Sequence, residues 1–296
     1  MYVDNNWYGH RGILAKYCGV KVKAMWGSIQ HGVLIDCYES DIGKHSIPFS
    51  NYYCWTKKTV EYCKKNKVKN IIPIGAPFIY LDQLLKTKKS QTKSTGTLSF
   101  PCHSNPDDPR HFKHELFIKY VMDHYEGPFT ACLFFLDAIT DIKNIYSKYG
   151  WNVVSAGDRS NENFLENVYN FINRHDHIIS PELGSSFFYS LFLKKKASYV
   201  KGIKVKNTFQ YFSQKSIYFI NDQLEAYEKS NNFILDEIID IKKGKELGDI
   251  ELGYEFKKNK DDLKKILGYN NLLKNIAAPL ISKIMDIKFK GRRNWR

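Results

Sequence analysis

A chain of 296 residues, 43% of them hydrophobic and 15% aromatic, holds enough apolar surface for a sizeable core and is long enough for two domains. The net charge is +14, carried by 38 Lys and only 7 Arg. That balance argues against a sequence reader of nucleic acid, which leans on the arginine fork, and fits an acidic polymer or an anionic membrane face.

The six cysteines, Cys18, Cys37, Cys54, Cys63, Cys102 and Cys132, form no CxxC pair and no framework spacing, so reduced, buried thiols are expected. Met1–Asn6 lack the basic and apolar regions of a signal peptide, and no apolar run is long enough to span a bilayer. A cytoplasmic protein is expected, able to sit peripherally on the inner face of the plasma membrane.

Along the chain, Tyr8–Cys18 reads as a loop entering a helix. Lys23–Gly32 reads as a strand whose carboxyl end opens at His31-Gly32. Further strands are predicted at Asn51–Trp55 and Asn70–Ile74, with a basic helix, Lys57–Lys67, between them. The segment Lys86–Gly96 is rich in Lys, Ser and Thr without hydrophobic period, and reads as a linker. A first domain over residues 1–90 follows.

From Thr97 the pattern becomes regular. Strands are predicted at Thr97–Cys102, Phe129–Leu136, Asn152–Ser155, Ile178–Ser180 and Ser198–Val200. Helices are predicted between them at Phe112–Tyr125, Ile139–Tyr149, Asn161–Arg174 and Ser186–Lys194. The third places Phe164, Leu165, Val168, Tyr169 and Ile172 on one face behind a Ser160 cap. This alternation implies an α/β fold with a parallel, doubly wound sheet over residues 91–220 and ligands at the strands' carboxyl ends. Residues 221–296 are expected to add C-terminal helices, at 222–245 and 258–268, and a basic tail. Leu272–Arg296 is apolar on one side; it either packs on the protein or lies on an anionic membrane through Phe289 and Trp295.

Polar groups recur where those strands end: His103 and Ser104 after the first, Asp137 after the second, Asp158 and Arg159 after the third. After the fourth come Glu182, Gly184, Ser185 and Ser186. A glycine and two hydroxyls at a helix N-terminus suit a phosphate, through backbone N–H groups and the helix dipole. Each has a plainer explanation alone: Ser185 as a helix cap, His103 as a core histidine, Asp137 as an N-cap, Arg159 as a surface cation. Together they point to transfer from a nucleotide-activated donor. Ser185, Ser186 and the helix end would hold the phosphate, with His103 or Arg159 adding positive charge. Glu182 would accept the ribose hydroxyls, and His31 would act as base, with His10 and Asp36 or Glu39 as substitutes. No Asp-x-Asp, Walker A or Gly-x-Gly-x-x-Gly motif is present, and His103, His111 and His114 lack a partner spaced to complete a metal set, so neither metal nor cofactor is expected.

At Tyr8-Gly-His10, Trp26–Gly32, Ile74–Phe78, Gly96–Ser104, Gly150–Arg159 and Leu183–Ser186 the chain resembles bacterial glycosyltransferases of the GT-B type associated with surface polysaccharide synthesis. The resemblance runs through residues 7–200 as short matches. The Ser185-Ser186 pair is similar to the phosphate-binding motif of bacterial sialyltransferases and polysialyltransferases. The His31-Gly32 element is similar to that of teichoic-acid glycerophosphotransferases. In place of the sialyltransferase His-Pro pair stands His103-Ser104, and the first lobe is short, with about three strands. The resemblance implies two Rossmann-type lobes facing a cleft and a metal-independent enzyme. The donor would be a nucleotide sugar, a CMP-linked acidic sugar by preference, and the acceptor a glycan or lipid-linked glycan. Two alternatives stand beside it: a CDP-polyol phosphotransferase of teichoic-acid type, and a basic, non-catalytic protein binding nucleic acid or another polyanion.

Overall fold

The computed structural model describes residues 7–22, 25–34, 51–86, 93–102, 110–181, 183–200, 206–207, 240–271 and 273. They form two compact units. The first gathers the described residues within Met1–Ser90, Arg159–Glu166 and Asp249–Arg296; the second gathers those within Gln91–Asp158 and Asn167–Gly248.

In the first unit, α1 (His10–Tyr17) precedes a three-stranded parallel sheet of β1 (Gly27–Ile29), β2 (Asn51–Cys54) and β3 (Ile71–Pro73), with β2 in the centre. Gly27 pairs with Asn51, and Tyr53 with Ile72. Between β2 and β3 runs α2 (Lys57–Lys65), as the sequence predicts. Thr56 caps it by accepting the Thr59 N–H at 3.2 Å, and it buries Thr59 and Cys63 while its lysines face water. A helix not expected from sequence, α3 (Pro77–Lys86), follows Ile74-Gly75-Ala76. Its first residue is a proline, whose missing N–H is harmless at that position.

The C-terminal part is stitched into this unit rather than standing apart. After α8 (Ile241–Leu252), the Leu252 carbonyl accepts from Ala76 N–H at 2.8 Å. The Tyr53 hydroxyl lies 3.2 Å from the Ile266 carbonyl at the end of α9 (Lys260–Ile266). Asn259 caps α9 through the Asp262 N–H.

The second unit is a five-stranded parallel sheet. Its strands are β4 (Thr97–Ser99), β6 (Phe129–Leu133), β7 (Asn152–Ser155), β8 (His177–Ser180) and β9 (Lys196–Tyr199), in spatial order β7-β6-β4-β8-β9. The helices α4 (His114–His124), α5 (Asp141–Lys148), α6 (Phe164–Arg174) and α7 (Ser185–Phe192) alternate with them. Numbered within the unit the order is 3-2-1-4-5, the doubly wound arrangement that the alternating pattern implied. A short antiparallel pair, β5 (Arg110–His111) with β10 (Lys206–Asn207), stands outside the sheet. The β8 strand is buried at all four positions, as expected of a central parallel strand. One core cluster of this unit includes Phe117, Ile118, Val121, Tyr146 and Trp151, with Trp151 stacked on Phe129 at 5.0 Å.

Element boundaries shift where chemistry intervenes. The β4 strand stops at Ser99 because Phe100 makes the last ladder bond, to the Ile179 carbonyl, and Pro101 has no N–H to continue it. The α6 helix starts at Phe164, not Asn161, and the Asn161 side chain accepts from Asn163 N–H in the turn before it. Its predicted face is buried at Leu165, Val168, Tyr169 and Ile172. Cys18, Cys54, Cys63, Cys102 and Cys132 are free and buried, as expected; Cys37 lies outside the described residues. Of the helix expected at 222–245, residues 222–239 also lie outside them and the rest falls at the start of α8; of the tail expected at Leu272–Arg296, only residue 273 is described. No helix among the described residues is long and apolar enough to cross a membrane.

Gly253 turns the chain out of α8 at φ +68, and a Cβ there would lie 1.8 Å from the Trp55 carbonyl oxygen. A Gly253→Ala variant is expected to lose on the order of 2 kcal/mol or more, read as a lower midpoint in denaturant melts.

Candidate functional site

The order of the second sheet reverses between β4 and β8, and in such sheets the gap at the carboxyl ends of the two diverging strands is where ligands bind. Ser99 pairs with Ile179, so β4 ends beside Ser180. The sequence places Gly184-Ser185-Ser186 immediately after that strand end. Gly184 is extended at φ −94, ψ 176, makes no side-chain cap, and has nothing within 4 Å of where a Cβ would stand. Ser185 and Ser186 are half-buried at the first two positions of α7 rather than sealed in packing.

The helix behind them is fixed. Phe187, Phe188, Leu191 and Phe192 are buried, and each such side chain contributes roughly 1.5–3 kcal/mol. The buried Ser190 hydroxyl donates to the Ser186 carbonyl at 2.7 Å. The intrahelical ladder begins with Phe187 and Phe188 donating to the Gly184 carbonyl. The N–H groups before them point out of the helix, at the positive end of its dipole. Such an end binds an anion, and the two hydroxyls add donors to it.

A second polar cluster forms within the first unit. His31 follows β1, as predicted, on a loop tied down by Gln30. The Gln30 side chain donates to the Gly32 carbonyl at 2.8 Å and accepts from Trp55 N–H at 2.9 Å. The His31 ring meets Trp7 edge-on at 6.2 Å. His10 opens α1 at 1% exposure, between the rings of Tyr8 at 5.8 Å and Trp55 at 5.9 Å. Neither of its ring nitrogens has a hydrogen-bond partner among the described residues, nor has the buried Nε1 of Trp55. Orphaned polar groups this deep are uncommon and call for an explanation, such as a role in a site. Burial, and secondly the neighbouring charge of His31, push the His10 pKa down to about 3. It is therefore neutral at physiological pH.

Arg159 belongs to this cluster and not to the sheet it follows in sequence. Its carbonyl accepts from Tyr8 N–H at 2.6 Å, and its guanidinium lies 4.4 Å over the Trp7 ring. The stretch Arg159–Glu166 docks closely because Tyr8 and Gly9 are both left-handed, at φ 57 and 75. A Cβ on Gly9 would stand 2.2 Å from the Glu162 carbonyl oxygen. Phe164 packs on Tyr8 at 4.8 Å.

The remaining predicted residues fall as follows. Asp137 starts a short 3-10 turn after β6, at the same edge of the second sheet as Gly184, but is only 2% exposed. Its charge acts on His114 and Tyr146, which share a hydrogen bond of 3.0 Å. Asp36, Glu39, His103, Ser104 and Glu182 lie outside the described residues. Among the described residues no group of three or more His, Cys, Asp or Glu is arranged to hold a metal. Sequence reasoning passed over Trp7, Gln30 and Trp55. Gln30 and Trp55 sit in or beside segments already singled out, but only their contacts mark them as supports for His31 and His10.

No family model and no curated protein sequence matches the chain. Solved structures similar to it include UDP-GlcNAc 2-epimerase from Neisseria meningitidis bound to UDP-GlcNAc, at 10% identity and TM-score 0.45, over 86% of this chain and 72% of that one. Another is the S. aureus MnaA–UDP complex, at 10% identity and TM-score 0.44, over 87% and 72%. A third is Phytolacca americana UGT2 with UDP-2-fluoro-glucose and pterostilbene, at 11% identity and TM-score 0.29, over 80% and 54%. At these scores the likeness establishes neither a common fold nor a common ligand.

The buried His10 makes a prediction about acid. Its folded pKa of about 3 lies below the ordinary 6.5, so the unfolded chain takes up a proton first as pH falls. The stability it secures is full above about pH 6.5 and is lost progressively below it, by roughly 2 kcal/mol at pH 5. His177, pushed down to about 4 by burial and by Lys196, acts with the same sign. Thermal midpoints are expected to fall between pH 7 and pH 5, and to fall less in a His10→Phe variant. An equal fall in both proteins would contradict the assignment.

Proposed function

We propose that this chain is a metal-independent glycosyltransferase of GT-B type that moves a sugar from a nucleotide-activated donor to a glycan acceptor. The observation that carries the proposal is the position of Gly184-Ser185-Ser186. They open a buried, rigid helix at the reversal point of a 3-2-1-4-5 parallel sheet, where that class of sheet takes nucleotides. In such a transfer the leaving phosphate gathers negative charge as the glycosidic bond breaks. Donors fixed in advance at that place lower the barrier without reorganising.

In this scheme the N–H groups and hydroxyls at Ser185 and Ser186 hold the donor phosphate. His31 removes the proton of the attacking acceptor hydroxyl. His10, too acidic as an imidazolium to serve as a base near neutral pH, supports that environment in its neutral form. The leaving-group charge is met by the helix end, so no metal is assigned. The similarity of the Ser-Ser pair to that of sialyltransferases favours a CMP-linked acidic sugar as donor. A cell-surface or lipid-linked glycan as acceptor, and work at the inner membrane face, belong to the same proposal.

Calorimetry with CMP, CDP, UDP and GDP tests the donor. Binding is expected to be tightest for a cytidine nucleotide and to weaken by about tenfold in Ser186→Ala, the loss of one charge-assisted hydrogen bond. A CDP preference, with turnover of a CDP-polyol, would replace the sugar donor by the phosphotransferase alternative. Salt-sensitive polymer binding with no nucleotide binding would replace both. A His31→Ala variant is expected to keep nucleotide affinity while losing turnover by about a hundredfold or more, measured in single-turnover assays.

A further inference from the structure

Arg159 is exposed and no carboxylate among the described residues closes on its guanidinium, yet it is not a loose surface cation. Its backbone is bonded to Tyr8, its guanidinium lies over the face of Trp7, and the same indole meets the His31 ring in a T-shaped contact. A long side chain laid on an aromatic ring has already given up much of its rotamer freedom, so less is lost when it takes a ligand. The docked segment that carries it rests on Gly9, where any side chain would strike the Glu162 carbonyl. A fixed guanidinium on which no carboxylate closes among the described residues, set on an indole that also meets a histidine ring, makes a binding surface with a definite preference. A guanidinium selects a planar carboxylate or a phosphate.

We propose that Trp7, His31 and Arg159 form the acceptor subsite, and that Arg159 recognises an anionic group, carboxylate or phosphate, on the acceptor sugar. The assignment rests on the transferase reading and deepens it: the acceptor is an acidic or phosphorylated glycan, and Arg159 serves it rather than the donor. Trp7 is a positioning residue that holds the guanidinium at a set distance from His31.

The test uses the full chain and three sugars as probes: N-acetylneuraminic acid, which carries a carboxylate, glucose 6-phosphate, which carries a phosphate, and galactose, which is neutral. Binding is followed by saturation-transfer NMR, with CMP affinity measured in parallel by calorimetry. At least one charged probe is expected to bind about tenfold tighter than galactose. Which one does so identifies the group. Arg159→Gln is expected to abolish that preference and Arg159→Lys to retain part of it, since the point charge survives and the fork does not. Trp7→Leu is expected to weaken the preference without removing it. CMP affinity stays within about twofold in all three variants, because none touches the helix end that holds the phosphate. Equal binding of charged and neutral probes to the unaltered protein overturns the inference. So does a charge preference that persists in Arg159→Gln, or a loss of CMP affinity there, which would return Arg159 to the donor. Failure of the unaltered protein to bind any nucleotide sinks the transferase reading instead, and leaves the anion preference to be read on its own.

Discussion

The parallel pairing of β4 with β8 is the constraint on which the second unit and its candidate site depend. It joins strands separated by three helical crossovers, with Thr97 opposite His177 and Ser99 opposite Ile179. Because the chain builds outward from β4 in one direction and from β8 in the other, the connections leaving these two strands diverge. The space between them is left for a ligand. The pairing is stabilised by burial: Leu98, Ile178 and Ile179 are completely inaccessible, as is Ser99. A strand buried on both faces has no register to slip into that keeps its polar and apolar positions sorted. The end of β8, from which the chain runs on to Gly184, is therefore as fixed as the core itself.

A different constraint assembles the histidines. Tyr8 and Gly9 both take left-handed backbone, which turns the chain sharply into α1 and leaves room for the Glu162 carbonyl. Tyrosine has no natural preference for that region, and holding it there costs on the order of 1 kcal/mol. The Tyr8 N–H bond to Arg159 and the Phe164 ring against the Tyr8 ring offset that cost. Backbone strain maintained near two histidines, an arginine and an indole nitrogen without a hydrogen-bond partner among the described residues is the kind found at sites of function. The same turn decides that Arg159 keeps company with His31 and His10.

The two clusters have different electrostatic characters, which suits a division of labour. At α7 the positive charge is partial, made of backbone dipoles and neutral hydroxyls, and it does not titrate. In the first unit it is a full guanidinium over the Trp7 ring, while the buried His10 imidazole, against Tyr8 and Trp55, is neutral at physiological pH. Under the proposed transfer, a leaving phosphate is better met by fixed dipoles, and selection among acceptors gains from a charge that rejects the wrong one.

The period of the apolar residues was enough to place nearly every helix and strand of the second unit, because a buried parallel strand and an amphipathic helix each need a pattern visible over a few positions. The α6 face, at Leu165, Val168, Tyr169 and Ile172, is the clearest case. The loop after β1 at His31 and the glycine-serine opening of α7 were equally legible, since turn and cap residues act on their immediate neighbours. Strand order was not written locally: the pairing of β4 with β8 across about eighty residues of intervening chain follows from which buried faces fit. Nor could local pattern show that Arg159–Glu166 leaves its own sheet's neighbourhood, or that Asp137 is buried beside His114 and Tyr146. Local chemistry determined which residues could act; the long-range packing of apolar faces, with a glycine where two backbones touch, decided which of them act together.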